Sequence, residues 1–312
     1  LQIVLEGCDC TGKTTLANKL EEYIMRAFNT KHVNRMHEGL PPDAPSLFEH
    51  YAVKALTYPF CIHDRLHLGE RTYGPVKRNR DNLGEIGQHI IDHIVFSHGF
   101  GLICAAPLKA VVKTWKKRRE TEYLQKMEEL VHIYELYQDR SFKLSGWEVI
   151  DPFDPEVVDL IRKRIEFIAA RDSQIPFDLG IGPSWSETLI VGEMSNHRMY
   201  DLPFFSTAGS SAYLINTLMR LGIGHNYYLT NAYRKDGSPR IMKPIIGDLK
   251  KLKRVLALGQ QAAKMLVQQD IPCTCLPHPQ FYHRFKHHEA TEYLKLFKQA
   301  MEHNHASQLR LL

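Results

Sequence analysis

Short, uniformly apolar runs alternate with amphipathic stretches along the whole chain, the pattern of buried parallel strands interleaved with helices. Gln2-Ile3-Val4-Leu5 is too short for a one-faced helix and predicts a strand buried on both sides. Val33 to Met36 predicts a second strand, and Phe60-Cys61-Ile62-His63-Asp64-Arg65 a third that ends in a charged pair. Gly101 to Ala106 and Trp147 to Asp151 complete a set of five. Leu16-Ala17-Asn18-Lys19-Leu20 continues as a helix, Ser46 has the position of a helix cap, and helices are expected over Leu83 to His98 and Pro155 to Arg171.

The periodicity then lapses. Residues 172–186 hold Pro176, Gly180, Gly182 and Pro183 without apolar spacing and read as a linker. A second series follows, with strands over Thr188 to Gly192, Tyr227 to Asn231, Arg254 to Leu258 and Cys273 to Leu276. Helices fall between them at Ser210 to Leu221 and Gln260 to Gln268, and a His- and Lys-rich helix ends the series. No internal repeat relates the halves. The expected fold is α/β in two domains, 1–171 and 187–312.

Directly after the first strand stands Gly7-Cys8-Asp9-Cys10-Thr11-Gly12-Lys13-Thr14-Thr15, which fits G-x-x-x-x-G-K-[ST] with strand before and helix after. Glycines let the backbone curl so that N–H groups face phosphate oxygens, aided by the helix N-terminus. Lys13 supplies a mobile charge for the β- and γ-phosphates, and the Thr14 hydroxyl can ligate Mg²⁺. The first half is therefore expected to bind ATP with Mg²⁺, through Gly7, Asp9, Gly12, Lys13, Thr14 and Thr15.

Ligands gather at the C-terminal ends of strands in such a sheet, which places Asp64 and Arg65 at the chemistry. The fourth strand ends without the aspartate that often holds Mg²⁺, so Asp64, with Asp9 as accessory, is the available carboxylate. The run Lys113-Thr114-Trp115-Lys116-Lys117-Arg118-Arg119 reads either as a solvated helix face or as a lid. As a lid it closes a guanidinium, from Arg118 or Arg119, on the transferring phosphate.

At 312 residues, with 44% hydrophobic and 24% charged positions, the chain suits two globular domains. No apolar run reaches the length of a membrane span, and no secretory leader is expected. Six scattered cysteines suit a reducing cytoplasm, and their two C-x-C pairs do not complete a metal cluster. A net charge of +5 permits contact with polyanions.

Residues 1–170 resemble the thymidylate kinase family of phosphate-loop kinases. Glu6-Gly7-Cys8-Asp9-Cys10-Thr11-Gly12-Lys13-Thr14-Thr15 is similar to that family's E-G-x-D-x-x-G-K-[ST]-T, and Asp64-Arg65 to its D-R pair. The resemblance implies that Arg65 contacts the acceptor and that Asp64 orients the attacking oxygen or metal. Asp64 through Pro75 looks like viral members with D-R-x-H-L-G-E-x-x-Y-G-P, which implies that Glu70 and Tyr73 shape the acceptor site and that the location is the host cytoplasm. The run that grips the thymine ring in this family has no clear counterpart, which leaves the acceptor open.

Residues 187–300 resemble uracil-DNA glycosylases. Gly192-Glu193, Pro203-Phe204 with Gly209, Thr230-Asn231, the turn ending at Gly259 and His278-Pro279-Gln280 come in that family's order. The resemblance implies that Phe204 stacks on an extruded pyrimidine, that Asn231 pairs with its edge and that His278 faces the base or its sugar, with the following residues in the minor groove. An amide carries one donor side and one acceptor side, which suits a uracil edge. The water-activating residue expected after the first strand is replaced by Glu193-Met194-Ser195-Asn196, so gripping a base without cutting it is the simpler reading. Tyr282 through His288 mixes basic and aromatic residues and suits either a phosphate backbone or plain solvent.

Three functions follow from the two resemblances. One is a kinase that phosphorylates the hydroxymethyl group of 5-hydroxymethyluracil in viral DNA, a step in making hypermodified thymines, with the second domain presenting the base. Another is a kinase of free dTMP or hydroxymethyl-dUMP, with the second domain a scaffold. The third is a DNA glycosylase or DNA-binding protein with a regulatory nucleotide site.

Overall fold

The computed structural model describes residues 1–39, 46–56, 61–139, 142, 145–170, 180–195, 203, 206–286 and 290–309. The chain divides into two compact units, Leu1–Asp172 and Ser173–Leu312.

Unit one holds a five-stranded sheet ordered β2-β3-β1-β4-β5 and parallel throughout. Its strands are β1 (Gln2–Glu6), β2 (Asn34–His37), β3 (Cys61–Asp64), β4 (Gly99–Cys104) and β5 (Glu148–Ile150). β1 is buried along its whole length, as its unbroken apolar run requires of a central strand. Helix α1 (Lys13–Ala27) turns Leu16, Ala17, Leu20 and Ile24 toward the sheet, and these join Ile3, Leu5, Phe100, Leu102, Ile161 and Ile165 in one core. Each buried Leu, Ile or Phe among them contributes about 1.5–3 kcal/mol by leaving water.

The remaining helices are α2 (Leu47–Ala55), α3 (Leu68–Arg78), α4 (Gly84–His98), α5 (Leu108–Arg118), α6 (Met127–Leu136) and α7 (Pro155–Ala170). Ser46 caps α2 by accepting from the Glu49 N–H at 3.2 Å. α4 is buried on nearly every side and carries a buried carboxylate, Asp92. Asp92 lies 2.8 Å from Nε2 of His67 and accepts from the Trp147 indole at 2.8 Å and the Gln88 amide at 3.1 Å. That network ties α4, β5's approach and the turn after β3 into one rigid support.

Unit two holds a four-stranded parallel sheet ordered β7-β6-β8-β9. Its strands are β6 (Thr188–Gly192), β7 (Tyr227–Asn231), β8 (Arg254–Leu258) and β9 (Thr274–Leu276). The described residues add helices α8 (Gly209–Arg220), α9 (Lys243–Asp248), α10 (Gln260–Gln268), α11 (Pro279–Phe285), α12 (Ala290–Glu302) and α13 (Ala306–Leu309). Leu189, Val191, Val255 and Ala257 pack with Met265 and Leu266 of α10.

Part of the expected linker is built into this unit. Ile181 forms an antiparallel bridge with Leu229 and exchanges hydrogen bonds with it at 2.8 and 2.7 Å. Ile181 thus pairs with β7 at the edge of the sheet, which an open strand edge favours.

Candidate functional site

β1 and β3 are adjacent, with Leu5 paired to Asp64, so the glycine loop and the Asp64-Arg65 pair leave the sheet side by side. Gly7 (φ 136°) and Gly12 (φ 91°) both occupy left-handed backbone. A Cβ on Gly7 would stand 2.5 Å from the Cys104 carbonyl oxygen, and one on Gly12 would stand 2.7 Å from the Phe153 ring. Gly12 caps α1 without a side-chain hydrogen bond, and the first turn holds no acid, so the N–H groups there are presented to an anion.

Lys13 is buried and folds back on its loop, donating to the carbonyls of Gly7 at 2.9 Å and Cys8 at 2.6 Å. Burial, and after it the Arg65 charge, pushes its pKa below the usual lysine range. Burial pushes the thiols of Cys8 and Cys10 up to about 12, which keeps both protonated at neutral pH.

The Thr14 hydroxyl donates to Oδ2 of Asp64 at 2.9 Å. Arg35 and His37 stand 3.8 and 3.5 Å from the same oxygen. Oδ1 of Asp64 is buried with no hydrogen-bond partner, an orphaned acceptor that a cation or a hydroxyl proton would satisfy. Two hard oxygen donors beside a lysine and an orphaned carboxylate oxygen fit Mg²⁺.

Asp9, expected as an accessory carboxylate for metal or acceptor hydroxyl, is held by protein partners. Its Oδ1 accepts from Arg65 and from the Tyr73 hydroxyl at 3.2 Å, and its Oδ2 accepts from the Leu124 N–H at 3.3 Å. Burial alone would raise its pKa, but Arg65 and Lys13 outweigh that and hold it below the ordinary value. Arg65 has φ 71°, and its turn is fixed from below by Glu6, whose Oε1 accepts from the N–H groups of Leu66 at 2.9 Å and Leu68 at 3.0 Å. The Trp115 indole donates to the Leu124 carbonyl at 2.7 Å. One carboxylate therefore joins the phosphate loop, the D-R pair, α3 and the segment after α5.

These groups line a cavity of about 470 Å³. Asp9, Gly12, Lys13, Thr14, Thr15, Asp64, Arg65 and Tyr73 reach it, and so does Arg118. Arg119 does not line it: its guanidinium lies over the Trp115 ring, and its Nε donates to the Gln125 carbonyl at 2.9 Å. Glu70 acts indirectly, fully buried and paired to Arg78, whose side chain does line the cavity. Glu38, Tyr51, Arg78 and Phe153 are lining residues without a motif to reveal them. Glu38 holds His50 at 3.0 Å and pairs with Lys54.

In unit two, Asn231 ends β7 opposite Gly192 of β6, and its buried Nδ2 has no hydrogen-bond partner among the described residues. His278 follows β9 and caps α11, its Nδ1 accepting from the Gln280 N–H at 3.2 Å. Its ring packs on Gly259, at the end of β8. Burial lowers the His278 pKa, and the nearby Glu193 carboxylate opposes that. Glu193, Asn231, Gly259 and His278 thus gather at the C-terminal edge of the second sheet. Phe204 lies outside the described residues.

No protein-family model matches the chain. No curated protein matches it either. Among solved structures, it is similar to the YorR protein of Bacillus subtilis, solved in complex with phosphorylated GDP, at 21% identity and a TM-score of 0.43 over 55% of this chain and 96% of that one. It is also similar to the deoxyadenosine kinase of M. mycoides with the products dCMP and dCDP, at 17% identity and a TM-score of 0.35 over 54% of this chain and all of that one. No helix among the described residues is long and apolar enough to cross a membrane.

Proposed function

We propose that the chain is an ATP-dependent phosphotransferase whose acceptor is the hydroxymethyl group of 5-hydroxymethyluracil in DNA. The observation that carries the kinase half of this reading is the Thr14–Asp64 contact at 2.9 Å, set beside Lys13 with Oδ1 of Asp64 unsatisfied. Thr14 and Asp64 would hold Mg²⁺, which when bound neutralises charge on the β- and γ-phosphates. Lys13 leaves the Gly7 and Cys8 carbonyls for the phosphate oxygens, and Arg118 adds charge from the rim of the cavity. The acceptor oxygen forms a bond to the γ-phosphorus, the bond from that phosphorus to the β–γ bridging oxygen breaks, and Asp64 takes the acceptor's proton. Arg65, held by Asp9, faces the acceptor side.

The acceptor half of the reading rests on unit two. A buried amide nitrogen with no partner is costly unless a ligand supplies the acceptor. A uracil-type edge supplies it with a carbonyl oxygen and donates its ring N–H to the oxygen of the same amide. Thymine itself has no hydroxyl, so the phosphorylated base carries a hydroxymethyl group.

A second reading, a kinase of free dTMP or hydroxymethyl-dUMP, is favoured by one observation: every residue that lines the 470 Å³ cavity belongs to unit one. Labelled γ-phosphate from ATP, offered DNA containing 5-hydroxymethyluracil beside free dTMP and hydroxymethyl-dUMP, separates the two. Label in the DNA alone supports the first, and label in the mononucleotides alone supports the second. Transfer that survives Lys13→Ala in a folded protein removes both.

A further inference from the structure

We propose that the outward face of α5 docks the phosphate backbone of a nucleic acid. Only the consequence that this brings a DNA acceptor to the kinase cavity rests on the functional reading above.

α5 has three faces, set by the ~100° turn per residue of an α-helix. Val111 and Trp115 are buried in the core. Thr114 and Arg118, one turn apart, line the cavity. Lys109, Lys113, Lys116 and Lys117 share the third face, and all four are exposed. The helix contains no aspartate or glutamate. Of the acids that follow the helix, Glu122 pairs with Arg118 at 2.9 Å and Glu129 with Lys77 at 2.8 Å, and the exposed Glu120 forms no ion pair with the four lysines. Among the described residues, none of the four lysines is in an ion pair.

A merely solvated helix face interleaves acids with its lysines, which adds i,i+4 support. Here four like charges repel one another and stabilise nothing in the fold, so an external anion is the fitting partner. The stripe runs from Lys109 to Lys117, about 12 Å at 1.5 Å per residue. Four lysines on that stripe can neutralise at most about four backbone phosphates. Lysine is a compact point charge, suited to backbone contact without reading of bases. An anionic membrane surface fits less well, because membrane-bound helices pair their basic residues with exposed apolar side chains, and α5 has no exposed large apolar residue. A backbone on this face lies about one helix diameter, roughly 10–12 Å, from the cavity that Thr114 and Arg118 line.

The test uses the full-length protein, without nucleotide, and two quadruple variants at Lys109, Lys113, Lys116 and Lys117, one to Gln and one to Arg. Fluorescence anisotropy follows binding to a short duplex oligonucleotide across a series of salt concentrations. The Gln variant should bind at least roughly tenfold more weakly, and its log–log salt slope should fall by about three to four. The Arg variant should keep both. An unchanged affinity and slope in the Gln variant overturns the proposal, and so does loss of binding to phosphatidylserine vesicles with DNA binding intact. Binding is read without chemistry, so a protein that docks DNA but transfers no phosphate would sink the kinase reading and leave this one standing.

Discussion

The hydroxyl of Thr14 donates to Oδ2 of Asp64 at 2.9 Å, while Oδ1 of the same carboxylate is buried and unpaired. The two residues are 50 positions apart and meet because β1 and β3 are neighbours in the sheet. One oxygen of this carboxylate is engaged, and the other is buried without a hydrogen-bond partner among the described residues.

Asp64→Asn should lower kcat by about 10²–10⁴-fold, because an amide keeps the shape but neither takes a proton nor holds a cation as a carboxylate does. Affinity for an ATP analogue should change far less, since Lys13 and the loop N–H groups remain. A variant that keeps kcat and loses nucleotide affinity would show that Asp64 serves binding alone.

Asp9→Ala should cost both stability and acceptor handling. It leaves Arg65, the Tyr73 hydroxyl and the Leu124 N–H without their shared acceptor. Breaking a buried pair by removing one partner costs about 3–5 kcal/mol. Thermal unfolding should move down by several degrees, and KM for the acceptor should rise more than KM for ATP. An unchanged melting temperature would mean that the pairing with Arg65 is not maintained in solution.

The strand–loop–helix opening was legible because phosphate binding imposes a fixed residue spacing, and most strands of both sheets were legible from their apolar runs, the polar β2 (Asn34–His37) being the exception. What the sequence hid depends on packing. α3 contains Gly69, Gly74 and Pro75, which argue against a helix, yet it forms and carries Tyr73, Glu70 and Arg78 to the site. The basic run was half legible: Arg118 shares a face with Thr114 by i,i+4 spacing and lines the cavity, and Arg119 falls on the Trp115 side. Glu38 had no motif at all. It reaches the cavity because its N–H continues the β2–β3 ladder, donating to the Asp64 carbonyl at 3.1 Å. Residues 180–186 looked like a linker because an isolated bridge leaves no periodic pattern.

Acid should destabilise unit one through His89. Burial in α4 pulls its pKa from 6.5 to about 4, against the opposing pull of Asp92. The folded state therefore favours neutral imidazole. This contribution is complete above the unfolded pKa of 6.5 and is lost as pH falls from there through about 4. The gap corresponds to roughly 3 kcal/mol at its full extent, by 1.36 kcal/mol per unit. His89→Gln should flatten the fall in melting temperature across that window. A variant whose melting temperature drops with the same slope would place the acid sensitivity elsewhere.

Asn231→Asp provides the most selective probe of unit two. The side chain keeps its size, but the partnerless Nδ2 becomes an oxygen, so a donor turns into a second acceptor. A base edge that offered a carbonyl oxygen to the amide would then meet a like partner. Losing one such buried hydrogen bond while facing lone pair to lone pair costs about 1–3 kcal/mol, or roughly 5- to 150-fold in kcat/KM for the modified DNA. Asn231→Ala should fall short of that, since it removes the partner without adding a repulsive one. ATP hydrolysis without acceptor should stay unchanged in both, because every residue lining the 470 Å³ cavity lies in unit one. If the Asp variant phosphorylates 5-hydroxymethyluracil in DNA at the wild-type rate, Asn231 does not read the base. If hydrolysis without acceptor falls in parallel, the damage is structural, and the base-reading role loses its support.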